Sequence, residues 1–159
     1  MMKYLIATVT VTLSGCVSIR DDGDHIFSRA YAVQRTRPVV AIDAAAARYV
    51  ETTGFWEMSE HRRYSQGDLD SDDLVDATMV TTYEQGQTFK RVMFVSLGSH
   101  PTHISTIELG GKGEQMASTA KIQDGLMQGE GMRYAPTDGM CCPSLPFTDS
   151  YAVRDGIVK

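Results

Sequence analysis

The chain has 159 residues, of which 42% are hydrophobic and 22% are charged, and its net charge is −5 at pH 7. This composition is typical of one globular domain and argues against a nucleic-acid-binding protein, because phosphate contacts need clustered lysine and arginine. No apolar run reaches the length of about 20 residues that a membrane-spanning helix needs.

The beginning of the chain has the layout of a secretory signal peptide. Residues 1–3 supply one positive charge, and residues 4–13 form an uncharged, mostly apolar run. The run ends at Leu13-Ser14-Gly15-Cys16, which resembles a bacterial lipobox. The resemblance implies that residues 1–15 are removed and that Cys16 is acylated, so that several acyl chains hold the protein on the lipid bilayer.

The residues that follow the lipobox indicate a compartment. Lipoproteins with Asp just after the acylated Cys tend to stay in the inner membrane, whereas this chain continues with Val17 and Ser18. The resemblance therefore implies the periplasmic face of the outer membrane. Residues 16–25 are polar and charged and predict a lipidated tether, which leaves residues 26–159 for a single domain.

The domain begins with a predicted extended segment and a short helix. Residues 26–40 mix apolar side chains with arginines and are predicted to be extended. Asp43 is predicted to cap a helix over residues 44–50 that ends at Gly54, because its four consecutive alanines favour helix. An aromatic and apolar cluster that we expect to pack on the sheet follows the helix: Phe55, Trp56 and Met58.

The remainder of the domain predicts β-strands separated by turn signals. The segment 88–97 carries apolar residues at both alternating sets of positions, which indicates a central strand. Asp124-Gly125 and Asp155-Gly156 are two-residue hairpin signals. The predicted strands are 77–83, 88–97, 103–109, 115–123, 126–134, 147–153 and 157–159. The predicted fold is α+β, with one helix packed on a curled antiparallel sheet of about five to seven strands.

The strongest chemical signal is the acidic segment 68–76. Its acids occupy positions 1, 3, 5 and 9 of a calcium loop, a spacing that lets alternate residues point carboxylates at one centre. The predicted calcium ligands are Asp68, Asp70, Asp72, Leu74 through its carbonyl oxygen, and Asp76. The alternative is a solvated acidic turn before a strand, in which the carboxylates repel one another.

The acidic segment resembles the short D-x-D-x-D-G-x-x-D loops of thrombospondin type 3, dockerin-like and integrin-blade domains. It departs from them at Asp73, which replaces the usual glycine, and from the EF-hand at Met79, which replaces the final glutamate. The resemblance implies a structural calcium ion that fixes the start of strand 77–83.

Two adjacent cysteines, Cys141 and Cys142, remain once Cys16 is acylated. In an oxidising compartment two thiols tend to pair, so a vicinal disulfide that shapes the loop is the preferred prediction. Two free buried thiols are the second alternative. A redox or metal role is the third, since two adjacent cysteines offer too few ligands for zinc and no C-x-x-C motif is present.

Several segments together resemble a group of bacterial envelope proteins for which no activity is known. The acidic segment lies within one match, the Cys-Cys-Pro sequence forms another, and two turns lie between them. The matching residues are 67–77, 109–111, 122–125 and 141–143. The resemblance spans roughly residues 64–153 and implies a shared fold without implying an activity.

No catalytic motif stands out, so we expect a non-catalytic binding or interaction module on the outer membrane. Its expected partner is another envelope protein or the cell wall. One alternative is an immunity or inhibitor lipoprotein against a periplasmic lysozyme-like hydrolase, because an acidic surface complements a basic enzyme. Another is an enzyme acting on cell wall or glycan, which needs acids or histidines that converge in a pocket.

Overall fold

The computed structural model describes residues 34–139, 142–154 and 157–158. The described residues form one α-helix and eight β-strands. In chain order these are α1 (Arg37–Thr53), β1 (Trp56–Gly67), β2 (Asp76–Gln85), β3 (Thr88–Ser96), β4 (Ile104–Gly111), β5 (Met116–Gln123), β6 (Leu126–Arg133), β7 (Leu145–Arg154) and β8 (Ile157–Val158). The predicted signal peptide, the lipidation site Cys16 and most of the predicted tether and extended segment lie outside the described residues, as does Cys141.

The described strands belong to two antiparallel sheets. The first has the order β1-β2-β3-β4, and the second contains β5, β6 and β7 with the short β8 paired to β7. The α+β class and the antiparallel pairing are confirmed, but the prediction of a single curled sheet is wrong. The chain passes to the second sheet after β4. Near the end of β4, Gly110 has a φ of +107°, and a β-carbon there would lie 1.7 Å from the carbonyl oxygen of Gln115. Only glycine permits this close approach.

The domain has three layers because strand β2 is covered on both faces. Its residues from Asp76 to Tyr83 are all buried. Successive side chains of a strand point to opposite faces, so one set packs against α1 and the other against the second sheet. The helix-side core contains Val39, Ile42, Ala46, Ala77, Met79, Tyr83, Val92 and Phe94. The core between the sheets contains Leu69, Val80, Met93, Val95, Leu97, Leu109, Ala117, Ala120, Met127 and Phe147.

The helix is longer at its beginning than the sequence predicted. It starts at Arg37 with Thr36 as the N-cap residue, so Asp43 lies inside it. The first turn contains Pro38, which suits this position because its missing N–H has no partner there anyway. Burial of the helix's apolar face against the sheet offsets the modest helix propensity of its valines. The predicted end is confirmed, since Gly54 has φ +72° and its N–H donates to the carbonyl oxygen of Val50.

Strand β1 was missed because its sequence is polar and does not alternate regularly. Its pairing with β2 explains the irregularity: Met58 lies opposite Thr82, but Arg63 lies opposite Val80. Four residues of β1 therefore face a single residue of β2, which is a large bulge that redirects side chains between the two faces.

The other strand predictions agree with the structure to within a few residues. The predicted central strand is β3, which lies between β2 and β4. Asp124 and Gly125 join β5 to β6 with φ values of +52° and +71°, the positive pair that a tight hairpin turn requires. The last two strands pair as predicted, and the turn at 155–156 lies outside the described residues. Among the described residues, no helix is long and apolar enough to cross a membrane.

Candidate functional site

The predicted calcium loop connects β1 to β2 and brings three carboxylates together. Oxygen atoms of Asp68, Asp70 and Asp76 all lie within 4.8 Å of one another. One cation at their centre could contact all three, because calcium–oxygen distances are about 2.3–2.6 Å. The structure therefore assembles three of the four carboxylates that the spacing predicted.

Asp76 is the fixed point of this cluster. Its side chain is fully buried, and both carboxylate oxygens accept hydrogen bonds from the backbone. The N–H of Leu69 donates to Oδ2 at 2.6 Å, and the N–H of Gly98 donates to Oδ1 at 2.7 Å. Gly98 allows this approach, since a β-carbon there would lie 2.8 Å from the carbonyl oxygen of Val75. Asp76 thus ties the acidic loop to the connection between β3 and β4.

Asp68 organises the turn of the loop. Its Oδ1 accepts a hydrogen bond from the N–H of Ser71 at 2.7 Å, and its Oδ2 accepts one from the N–H of Asp73 at 3.2 Å. Ser71 and Asp73 have φ values of +62° and +63°. Asp73 therefore adopts the left-handed backbone for which similar loops use glycine, so its presence does not prevent the turn.

The two remaining predicted ligands are placed less directly. Asp72 is outside the close group of three, although its carboxylate is near enough to that of Asp70 to raise the pKa of Asp70. The Oδ1 atom of Asp72 also accepts the N–H of Leu74 at 2.8 Å. Leu74 has a side chain that is 47% exposed, and the role of its carbonyl oxygen as a ligand stays a prediction.

The acidic loop is electrostatically strained when it is fully ionised. Partial desolvation, followed by the charges of Asp76 and Asp72, raises the pKa of Asp70 even though its side chain is exposed. Burial also raises the pKa of Asp76, against the opposing effect of the N–H groups of Gly98 and Leu69. A raised pKa means that the ionised form is disfavoured in the folded protein, and a bound cation would reverse that penalty.

The outer part of the loop combines acids with apolar side chains. Residues 70–75 are all exposed. Among them Leu74 and Val75 are 47% and 48% exposed, next to the carboxylates of Asp70, Asp72 and Asp73. Neighbouring apolar and charged groups of this kind are typical of a contact surface.

A second polar cluster, which the sequence did not predict, joins α1 to β1. The guanidinium of Arg62 donates to both carboxylate oxygens of Glu57, at 2.7 and 2.6 Å, and to Asp43 at 2.9 Å. The hydroxyl of Tyr64 also donates to Asp43. Glu57 raises the pKa of Arg62 further through this bidentate pair within β1. The hydrogen bonds from Arg62 and Tyr64 to Asp43 connect β1 to the helix. The bulge of β1 brings these residues together, and no pattern in the sequence predicts it.

The segment that contains the cysteines is closed by Asp138. Its Oδ2 accepts the N–H groups of Ala135 and Ser144, at 2.7 and 2.8 Å. These contacts, with the one from Ala135 contributing most, lower the pKa of Asp138. Cys142 is exposed, and Cys141 lies outside the described residues, so the predicted disulfide stays a prediction.

A groove of about 400 Å³ lies beside the beginning of α1. It is lined by Arg35, Thr36, Arg37, Val40, Ala41, Ala44, Pro101 and Thr102. The lining is largely apolar and contains neither a carboxylate nor a histidine, so it lacks the groups that hydrolysis of a glycan requires.

Comparison with protein-family models, with curated proteins and with solved structures finds no match.

The buried carboxylate of Asp76 gives a direct test of how the loop is held. We expect Asp76→Ala to lower the free energy of unfolding by about 2–4 kcal/mol, because two buried N–H groups lose their acceptor. Asp76→Asn keeps one acceptor oxygen and should cost about half as much. Urea denaturation in calcium-free buffer measures both, with the exposed Asp72→Asn as the matched control. Wild-type stability in Asp76→Ala would contradict the anchoring role.

Proposed function

We propose that this protein is a non-catalytic, extracytoplasmic binding module that is anchored through Cys16 and whose acidic loop is braced by calcium. The observation that carries the calcium part is the clustering of Asp68, Asp70 and Asp76, with oxygen atoms within 4.8 Å of one another. The anchor and the outer-membrane location are supported by the lipobox at residues 13–16.

Calcium fits this cluster better than the other common cations. The cluster offers only hard oxygen ligands, which calcium prefers and which zinc sites usually combine with nitrogen or sulfur. Calcium also accepts irregular geometry and roughly six to eight ligands, so water and loop carbonyls can complete the shell. Outside the cytoplasm, where calcium is abundant, a site of millimolar affinity is filled.

The exposed part of the loop supports a role in recognition. Calcium held by Asp68, Asp70 and Asp76 would fix the backbone beneath Leu74 and Val75, and so present the two apolar side chains in one arrangement. Preorganisation of this kind improves binding because less entropy is lost when the partner docks. The neighbouring acids suit a partner with a basic surface.

This combination of acids and exposed apolar residues also favours a second candidate, an inhibitor or immunity lipoprotein against a basic periplasmic hydrolase. The two candidates share the same contact surface and differ in the partner. An enzyme acting on cell wall or glycan remains the third possibility, and no described geometry favours it.

Calcium should stabilise the wild-type protein, and Asp70→Asn should remove the effect. At ten times its dissociation constant, a ligand raises the free energy of unfolding by about 1.4 kcal/mol, which shifts Tm by roughly 3–8 °C. Titration calorimetry and thermal unfolding with millimolar calcium measure the binding and the shift. Asp73→Asn is the matched control, because it removes one charge from the same loop and leaves the three clustered carboxylates intact.

The same pair of variants tests the electrostatic argument without calcium. Since the pKa of Asp70 is raised on folding, its ionisation lowers stability as the pH rises above the ordinary pKa of aspartate, and the loss is complete above the raised value. In chelator, Asp70→Asn should therefore become more stable than wild type as the pH rises from about 4 to 7.

No calcium heat, or an equal calcium response in Asp70→Asn and wild type, would remove the calcium site.

The anchor is tested by Cys16→Ser in the full chain, expressed in a bacterium that processes lipoproteins. Wild type should take up radiolabelled palmitate and sediment with the outer membrane, and Cys16→Ser should do neither, because the acceptor thiol is gone. Cys142→Ser is the control and should behave as wild type. A Cys16→Ser protein that remains labelled would show that Cys16 is not the anchor.

The contact surface is tested by a photo-crosslinking residue at Val75 in the anchored protein, with the exposed Glu51 of α1 as the control position. We expect a calcium-dependent crosslink from position 75 only, since chelator would release the loop. A basic wall hydrolase in the crosslink identifies an inhibitor, and another envelope component identifies an interaction module. Identical products from both positions would show that the loop is not the contact surface.

A further inference from the structure

Two arginines project from the face of the first sheet that packs toward the second sheet. Arg63 of β1 lies opposite Val80 of β2, and Arg91 of β3 lies opposite Thr82 of β2. Paired residues share a face, and so do residues two apart along a strand. Since Val80 belongs to the core between the sheets, Arg63 and Arg91 lie on the same face, at the rim of that core.

Neither arginine forms an ion pair within the part of the chain that the structure describes. The Nη1 atom of Arg63 donates only to backbone carbonyl oxygens, those of Glu60 at 2.8 Å and Arg62 at 2.9 Å. The Nε atom of Arg91 is buried and has no hydrogen-bond partner among the described residues. Arg62, by contrast, is paired with the carboxylates of Asp43 and Glu57.

The position of Arg91 makes its uncompensated charge costly. Burial, followed by the charge of Arg63, lowers the pKa of Arg91. A guanidinium nevertheless stays protonated at neutral pH, so the partly buried Arg91 keeps its charge on the same face as the charge of the exposed Arg63. Among the described residues no carboxylate compensates these two charges, so an anionic group of a ligand would find unpaired donors here.

We infer that Arg63 and Arg91 bind a small oxyanion group, a carboxylate or a phosphate. A guanidinium presents parallel N–H donors that match two oxygens of such a group, and two guanidinium groups can hold it from both sides. His61 adds a third polar group, because its Nδ1 lies 3.1 Å from Oγ1 of Thr82, the residue paired with Arg91.

This oxyanion site is separate from the acidic loop. Asp76 begins β2 and Thr82 lies six residues along it, which corresponds to about 20 Å at the usual rise of a strand. The two sites therefore bind ions of opposite sign at opposite ends of one strand. The oxyanion site does not depend on the function proposed above, and either can fail alone.

The test is thermal unfolding of the full chain in detergent, in calcium-free buffer, with inorganic phosphate or acetate replacing chloride at constant ionic strength. Wild type should show a saturable rise in Tm with at least one of the two anions. Arg91→Gln and Arg63→Gln should each weaken the apparent affinity at least about tenfold, because a charged hydrogen bond is lost. Arg48→Gln, at an exposed position of α1, is the matched control and should respond as wild type.

The anion that acts identifies the ligand class, since phosphate alone indicates a phosphorylated ligand and acetate a carboxylate. The proposal is overturned if neither anion raises Tm, if both glutamine variants respond as wild type, or if Arg48→Gln loses the response as well. Should Arg91→Gln fail to fold, the exposed Arg63→Gln decides the question by itself.

Discussion

The burial of strand β2 on both faces is the constraint on which the rest of the structure depends. Every residue from Asp76 to Tyr83 is buried, so the strand needs one cover for each face. Helix α1 supplies one and the second sheet supplies the other. Burial of this kind accounts for most of the favourable free energy of a small domain. It also fixes the two ends of β2, which carry Asp76 at the start and the arginines beside Thr82 near the end.

At the first end, a buried carboxylate connects stability to a candidate cation site. Asp76 is held by two backbone N–H groups, but burial and neighbouring acids disfavour its charge. The hydrogen bonds therefore hold the side chain of Asp76 in place, whereas its surroundings raise the free energy of the ionised carboxylate. A cation shared with Asp68 and Asp70 would relieve that cost and stiffen the exposed loop above it. In the proposed function, binding of calcium and presentation of Leu74 and Val75 are one event.

At the other end, adjacent arginines of β1 have different surroundings. Arg62 is enclosed by Glu57 and Asp43 and joins the helix to the sheet. Arg63 is directed to the opposite face, where Arg91 is its charged neighbour. The bulge of β1 produces this division, because it breaks the alternation of side chains. A structural ion pair and a proposed oxyanion site thus arise from two consecutive residues of the same type.

Local signals in the sequence determined the elements whose conformation depends on near neighbours. The end of α1 at Gly54, the Asp124-Gly125 hairpin, the central strand β3 and the spacing of the acidic loop follow from positive φ angles, alternation and short-range geometry. The predicted signal peptide and lipobox likewise come from the sequence by itself.

Tertiary structure decided the division into two sheets, the early start of α1 and the strand β1. It also decided the meeting of Asp76 with Gly98 and the placing of Arg63 and Arg91 on one face of the sheet. Each of these depends on residues far apart in the chain, whose contacts are set by how the layers pack and not by any local pattern.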